Sequence, residues 1–128
     1  MNFLLDTHIL IWAAISPHKF SSELASLLSD SGNHLYFSSA SIWEISIKES
    51  FGKKDFKFSS KKLYDGLIEN GYKKLKVSAL HAMEVINLPF IHRDPFDRIL
   101  VATAIWENMP LLTNDSTLSA YHSLVRVL

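Results

Sequence analysis

Short strand-like runs alternate with helical stretches along the whole chain, and this rhythm restricts the fold more tightly than any bulk property. Residues 2–5, 35–37, 74–77, 110–113 and 124–128 read as strands. A helix runs from about Thr7 to Ile15 and breaks at Ser16-Pro17; Ser21-Ser22 caps another that ends near Leu28, before a turn at Ser31-Gly32-Asn33. Ser41 is expected to cap a helix reaching about Phe51, closed by Gly52, and Lys53 to Phe58 reads as loop. Ser59-Ser60 starts a helix with Leu63, Leu67 and Ile68 on one face, ending at Asn70-Gly71, and Ser78 caps one over residues 79–86. Asp94-Pro95 opens a long helix with Ile99, Ala102, Ile105, Trp106 and Met109 near its buried stripe, and residues 116–121 form a short one. Parallel neighbours need a crossover, usually a helix, so strand–helix alternation predicts an α/β fold with a mostly parallel sheet.

No repeat or linker divides the chain, and 128 residues suit one domain with a sizeable core. The apolar fraction of 48% and charged fraction of 20% exclude a disordered chain. Cysteine is absent, which rules out disulfides and thiolate metal sites and suits a reducing cytoplasm. The longest purely apolar run, Ile9 to Ile15, has seven residues, far short of the roughly 20 that span a bilayer. The N-terminus carries Asp6 and His8 inside its apolar stretch with no basic residue before it, so neither a signal peptide nor a membrane association is expected.

The zero net charge hides a split. Residues 48–76 hold nine lysines (Lys48, Lys53, Lys54, Lys57, Lys61, Lys62, Lys73, Lys74, Lys76) against Glu49, Asp55, Asp65 and Glu69, a balance of +5; the rest of the chain balances at −5. A basic arm beside an acidic centre suits action on a polyanion, and a solvated lysine-rich helical hairpin would carry the same charges.

Four carboxylates fall where apolar runs end and helices begin: Asp6, Glu44, Asp97 and Asp115. In open α/β sheets ligands bind beyond the carboxyl ends of the strands, where Asp6 and Asp115 fall. Each acid also has a local explanation. Asp6 and Asp115 can cap the helices that follow, Ser41-x-x-Glu44 has the form of a capping box, and Glu44 with Lys48 forms an i,i+4 pair. Asp94 precedes a proline at the first helical position and is assigned as an N-cap, which puts Asp97 at the third position, where the helix dipole favours a carboxylate. Capping works as well with serine, which this chain uses freely. Four acids gathered on a small domain repel one another unless a cation lies between them, and hard divalent cations take oxygen ligands.

The stretches Leu4-Leu5-Asp6-Thr7-His8-Ile9, Ser41-Ile42-Trp43-Glu44-Ile45, His92-Arg93-Asp94-Pro95-Phe96-Asp97-Arg98 and Leu112-Thr113-Asn114-Asp115, in order across nearly the whole chain, resemble the PIN-domain family, and more narrowly the VapC-like ribonuclease toxins of type II toxin–antitoxin modules. The resemblance implies a three-layer α/β/α sandwich and an acidic pocket for Mg²⁺ or Mn²⁺ formed by Asp6, Glu44, Asp97 and Asp115. Thr113 matches the hydroxyl residue two before the last acid, and Asp94 matches a motif position. The family often has an aromatic a little beyond the fourth acid, where this chain has Leu118.

The implied activity is metal-assisted hydrolysis of RNA phosphodiesters, leaving 3′-hydroxyl and 5′-phosphate ends, with Asp6 and Asp97 as direct ligands and Glu44 and Asp115 as outer ligands or water-positioning groups. An antitoxin protein and a homodimer are the implied partners. The alternative is a non-catalytic PIN-like module that holds a metal or a partner's arginine. A phospho-receiver domain would need paired acids after the first strand, which Asp6-Thr7 lacks. Six scattered histidines show no zinc spacing, and Ser41 and Ser46 have no histidine partner for serine hydrolysis. His8 and His92 are expected to pack or hydrogen-bond near the acids; Trp12, Trp43 and Trp106 are expected in the core; Arg98 could contact phosphate or pair with an acid.

Overall fold

The computed structural model describes residues 1–52 and 58–128. β1 (Asn2–Leu5), β2 (His34–Ser38), β3 (Lys73–Leu75), β4 (Leu111–Thr113) and β5 (Val125–Val127) form one all-parallel sheet in the order β3-β2-β1-β4-β5. The helices are α1 (Thr7–Ile15), α2 (Ser22–Ser29), α3 (Ser39–Ser50), α4 (Ser60–Glu69), α5 (Ala79–Glu84) and α6 (Pro95–Glu107). Shorter 3₁₀ turns occupy Pro17–Lys19, Val85–Asn87 and Ser116–Ala120.

Successive strand side chains point to opposite faces, and both faces are buried. Phe3, Leu5, Leu35, Phe37 and Leu112 turn one way onto Ile9, Leu10, Leu24, Ile45, Leu63 and Leu67 of the first four helices. Leu4, Leu111 and Val125 turn the other way onto Leu100, Val101 and Ala104 of α6, with Leu118 and Tyr121. The result is the expected α/β/α sandwich. Each fully buried Leu or Phe contributes about 1.5–3 kcal/mol, so the two clusters dominate the stability of the fold. Among the described residues, no helix is long and apolar enough to cross a membrane.

Several expectations need correction. Ser41 is not an N-cap. β2 runs directly into α3, so Ser38 at the strand end accepts from Ala40 N at 3.0 Å, and Ser41 is buried inside the helix, where its Oγ accepts from Thr7 Oγ1 at 2.8 Å. Glu44 therefore lies in the second turn, out of reach of a capping box. Trp43 and Trp106 are not core residues, at 63% and 48% exposure. α3 turns Glu44 and Ile45 inward, which rotates Trp43 out to an edge-to-face contact with Phe96 at 5.1 Å. α6 buries Arg98 and residues 100–104 between the sheet and α5, which leaves Trp106 at the rim; Met109 is buried beyond the helix end, after Asn108 adopts a left-handed φ of 52°. The expected helices over 79–86 and 116–121 are in part or wholly 3₁₀. Residues 53–57 of the expected loop, with Lys53, Lys54 and Lys57, lie outside the described residues.

The basic segment is spread over the end of α3, α4 and β3. Lys48 pairs with Glu44, Lys61 with Asp65, and Lys73 and Lys74 lie over the rings of Tyr36 and Tyr64. β3 is an edge strand, where lysines discourage pairing with another chain.

Candidate active site

The strand order turns back at β1: β2 and β3 lie to one side, β4 and β5 to the other. Connections leave in opposite directions from such a point, opening a crevice beyond the carboxyl ends of β1 and β4. Asp6 is the first residue after β1, and Asp115 follows β4 by two.

Asp6 stands at the N-cap position of α1, yet its side chain makes no capping hydrogen bond. Its Oδ2 accepts from Thr113 Oγ1 at 2.7 Å, across the β1–β4 seam. Thr113 Oγ1 also accepts from Asp115 N at 3.0 Å, so one hydroxyl ties two of the acids together. Asp6 is buried, and burial pushes its carboxyl above the usual range; the Glu44 charge adds to the shift, while the Thr113 bond and His8 oppose it.

Glu44 reaches the same region from α3. It is buried, with Oε2 at 3.2 Å from Lys48 Nζ. Among the described residues, two buried side-chain polar atoms have no hydrogen-bond partner: Asp6 Oδ1 and Glu44 Oε1.

Asp97 is delivered by the start of α6. Asp94 caps that helix, its Oδ1 accepting from Phe96 N at 2.9 Å and Asp97 N at 3.2 Å, with Pro95 at the first position. Burial raises the Asp97 carboxyl to about 6, with the charges of Asp6 and Asp94 adding and His92, 3.0 Å from Oδ2, opposing. Asp115 differs. Its Oδ1 accepts from Thr117 N and Thr117 Oγ1, which holds its carboxyl below the usual range and realises the capping reading.

Asp6 thus feels the charge of Glu44, Asp97 feels that of Asp6, and Asp115 joins them through Thr113. Among the described residues, no three His, Asp or Glu side chains close into a preformed metal cage. The donor set nevertheless fits Mg²⁺ or Mn²⁺. All the acids are oxygen donors, two buried oxygens lack partners, and Mg²⁺ retains several waters and takes only one or two carboxylates directly.

Two sequence expectations about neighbouring residues resolve here. His92 hydrogen-bonds as expected, to Asp97. Arg98 does not face open solvent and pairs with no acid among the described residues: it is buried, and Nη1 donates to Pro89 O at 2.9 Å and Tyr121 Oη at 3.3 Å. Sequence reading missed Thr7 and Tyr121. Their partners, Ser41 and His92, lie 34 and 29 residues away, beyond any local pattern. Leu118, at the position where an aromatic is frequent, is fully buried beside α6.

The sequence profile described as "PIN domain" matches residues 3–123. The chain belongs to the PIN-domain family. Among solved structures, this PIN domain is similar to a chain of VapBC2 from Rickettsia felis bound to a DNA fragment from its promoter (TM-score 0.73, 21% identity, covering 99% of this chain and 98% of that one). It is also similar to chains of VapBC-1 from nontypeable Haemophilus influenzae (0.65, 18%, 99% and 98%) and of DNA-bound VapBC from Salmonella typhimurium (0.69, 15%, 100% and 97%). At these identities the likeness concerns the fold. No curated protein matches the chain significantly.

Proposed function

We propose that this PIN domain is a divalent-metal-dependent endoribonuclease acting in the cytoplasm, and the toxin of a type II toxin–antitoxin pair. The observation that carries the reading is the pair of buried, unpartnered carboxylate oxygens, Asp6 Oδ1 and Glu44 Oε1, with an Asp97 whose ionisation is opposed by burial and by the charges of Asp6 and Asp94. Buried carboxylates without partners destabilise a fold, and a cation bound among them offsets that cost.

In this reading Asp6 and Asp97 hold Mg²⁺ or Mn²⁺ directly, and Glu44 and Asp115 act through water. When bound, the ion supplies a Lewis acid for the phosphodiester and lowers the pKa of water. Thr113 occupies Asp6 Oδ2 and leaves Oδ1 for the pocket. Asp94 fixes the first turn of α6 and so the position of Asp97. Lys48 screens one Glu44 oxygen and leaves the other free.

The antitoxin partner rests on the similarity to chains of VapBC complexes. Self-association is favoured by an exposed apolar strip of Leu80, Met83, Ile86 and Trp106.

The test is cleavage of total cellular RNA. The chain should cut RNA with Mg²⁺ or Mn²⁺, leave 3′-hydroxyl ends and stop with EDTA, and a folded Asp97→Asn variant should be inactive. Cleavage insensitive to EDTA or to Asp97→Asn would overturn the mechanism. A folded, metal-binding wild type that cuts nothing would support the non-catalytic module instead.

A further inference from the structure

Arg98, Tyr121 and His92 form a hydrogen-bond relay that ends on Asp97. Arg98 Nη1 donates to Tyr121 Oη at 3.3 Å, and the backbone N–H of His92 donates to the same oxygen at 3.2 Å. The Tyr121 hydroxyl lies 2.7 Å from His92 Nδ1 and 3.2 Å from His92 O, and His92 Nε2 lies 3.0 Å from Asp97 Oδ2. Arg98 is itself fixed by Pro89 O, with Val85 O 3.4 Å from Nη2.

Counting donors orients the relay. A phenol oxygen has two acceptor sites and one proton. The guanidinium and the His92 amide take both sites, and neither can accept. The tyrosine's own proton has two acceptors in reach, His92 O at 3.2 Å and Nδ1 at 2.7 Å. An Nδ1–H would be a third donor to an oxygen that already holds two, so the proton goes to Nδ1. That makes Nδ1 an acceptor and leaves the ring proton on Nε2, aimed at the carboxylate.

We propose that Tyr121 and His92 are positioning residues for metal binding: Tyr121 locks His92 in the Nε2–H tautomer, and His92 holds Asp97 Oδ2 so that Oδ1 is presented to the ion. This rests on the proposed metal-dependent reading of the site. It also explains why the loop before α6 and the segment after the Asp115-capped turn are tied together, since Tyr121 immediately follows that turn. Groups that orient ligating carboxylates typically change metal affinity by about 10- to 100-fold when removed.

The experiment compares wild type, Tyr121→Phe, His92→Gln and His92→Ala. Mn²⁺ affinity is measured by calorimetry, folding by thermal midpoint, and the His92 tautomer by long-range proton–nitrogen couplings without added metal. The expected result is an Nε2–H tautomer in wild type, mixed tautomers in Tyr121→Phe, and Mn²⁺ affinity lowered about 10- to 100-fold in Tyr121→Phe and His92→Ala. His92→Gln, whose amide can still donate to Asp97, should keep most of the affinity. An Nδ1–H tautomer in wild type, or unchanged affinity in Tyr121→Phe, would overturn the proposal. Should wild type bind no divalent ion, the metal-dependent reading fails, and the tautomer alone then decides the Tyr121–His92 lock. If His92→Ala does not fold, Tyr121→Phe, which keeps the ring in place, decides.

Discussion

Thr113 Oγ1 donates a 2.7 Å hydrogen bond to Asp6 Oδ2, joining residues 107 positions apart at the carboxyl ends of adjacent strands. Both side chains are buried, and the same threonine oxygen accepts the amide of Asp115. One hydroxyl thus ties the Asp6 carboxylate to the Asp115 backbone and leaves a single Asp6 oxygen, Oδ1, buried without a partner.

Thr113→Val keeps the volume and removes the hydroxyl. It leaves Asp6 Oδ2 and the Asp115 amide without their partner, and should destabilise the metal-free protein by about 1–3 kcal/mol in urea unfolding. Thr113→Ser, which restores the donor, should recover most of that loss. Equal stability of the valine and serine variants would argue against the bond's importance.

Asp97 makes stability depend on pH. Its carboxyl titrates near 6 when folded, against 3.8 as the reference. Between those values the folded chain holds more protons than the unfolded one, so stability falls as pH rises through the window, and the full penalty stands above about 6. Relative to Asp97→Asn, the metal-free wild type should lose on the order of 1 kcal/mol across that window, after allowance for solvent screening. Saturating Mg²⁺ at neutral pH should abolish the difference. A wild type that gains stability over the same window, relative to the variant, would contradict the sign.

Glu44→Gln separates repulsion from ligation. In EDTA the variant should melt at or above the wild-type temperature, because a buried carboxylate charge beside Asp6 is gone. In Mg²⁺ the order should reverse, because a ligand is gone as well. A variant that melts lower in both conditions would give Glu44 a purely structural role.

Arg98→Ala strands the acceptors at Pro89 O and Tyr121 Oη, and should cost about 2–4 kcal/mol. Arg98→Lys should recover little, since one ammonium cannot reproduce the planar fork. A contact to RNA phosphate would behave differently, raising KM for RNA with stability unchanged.

Local chemistry made part of the site readable from the chain. The Asp94-Pro95 pair marks the start of α6 because a short acceptor and a fixed φ suffice for a cap, and Asp97 follows at the third position. The capping signal failed at Ser41. Serines at 38, 39 and 41 are all competent caps, and only the end of β2 chooses among them. Trp43 and Trp106 lie outside the core for a related reason: apolar character marks a candidate for burial, while the neighbouring element decides which side is covered.

The sequence by itself determined the alternation of strands and helices, the candidacy of the four acids and the Asp94-Pro95 cap that positions Asp97. These are local or periodic properties, and they survive in one dimension. Tertiary structure alone decided that Asp6 shares a hydroxyl with Asp115's turn, that two carboxylate oxygens are left buried and unpartnered, and that Tyr121 reaches His92 behind Asp97. Those relationships join segments tens of residues apart. The first exists because the parallel sheet reverses its order at β1 and brings the carboxyl ends of β1 and β4 together, and the others because helices and loops pack over that end of the sheet.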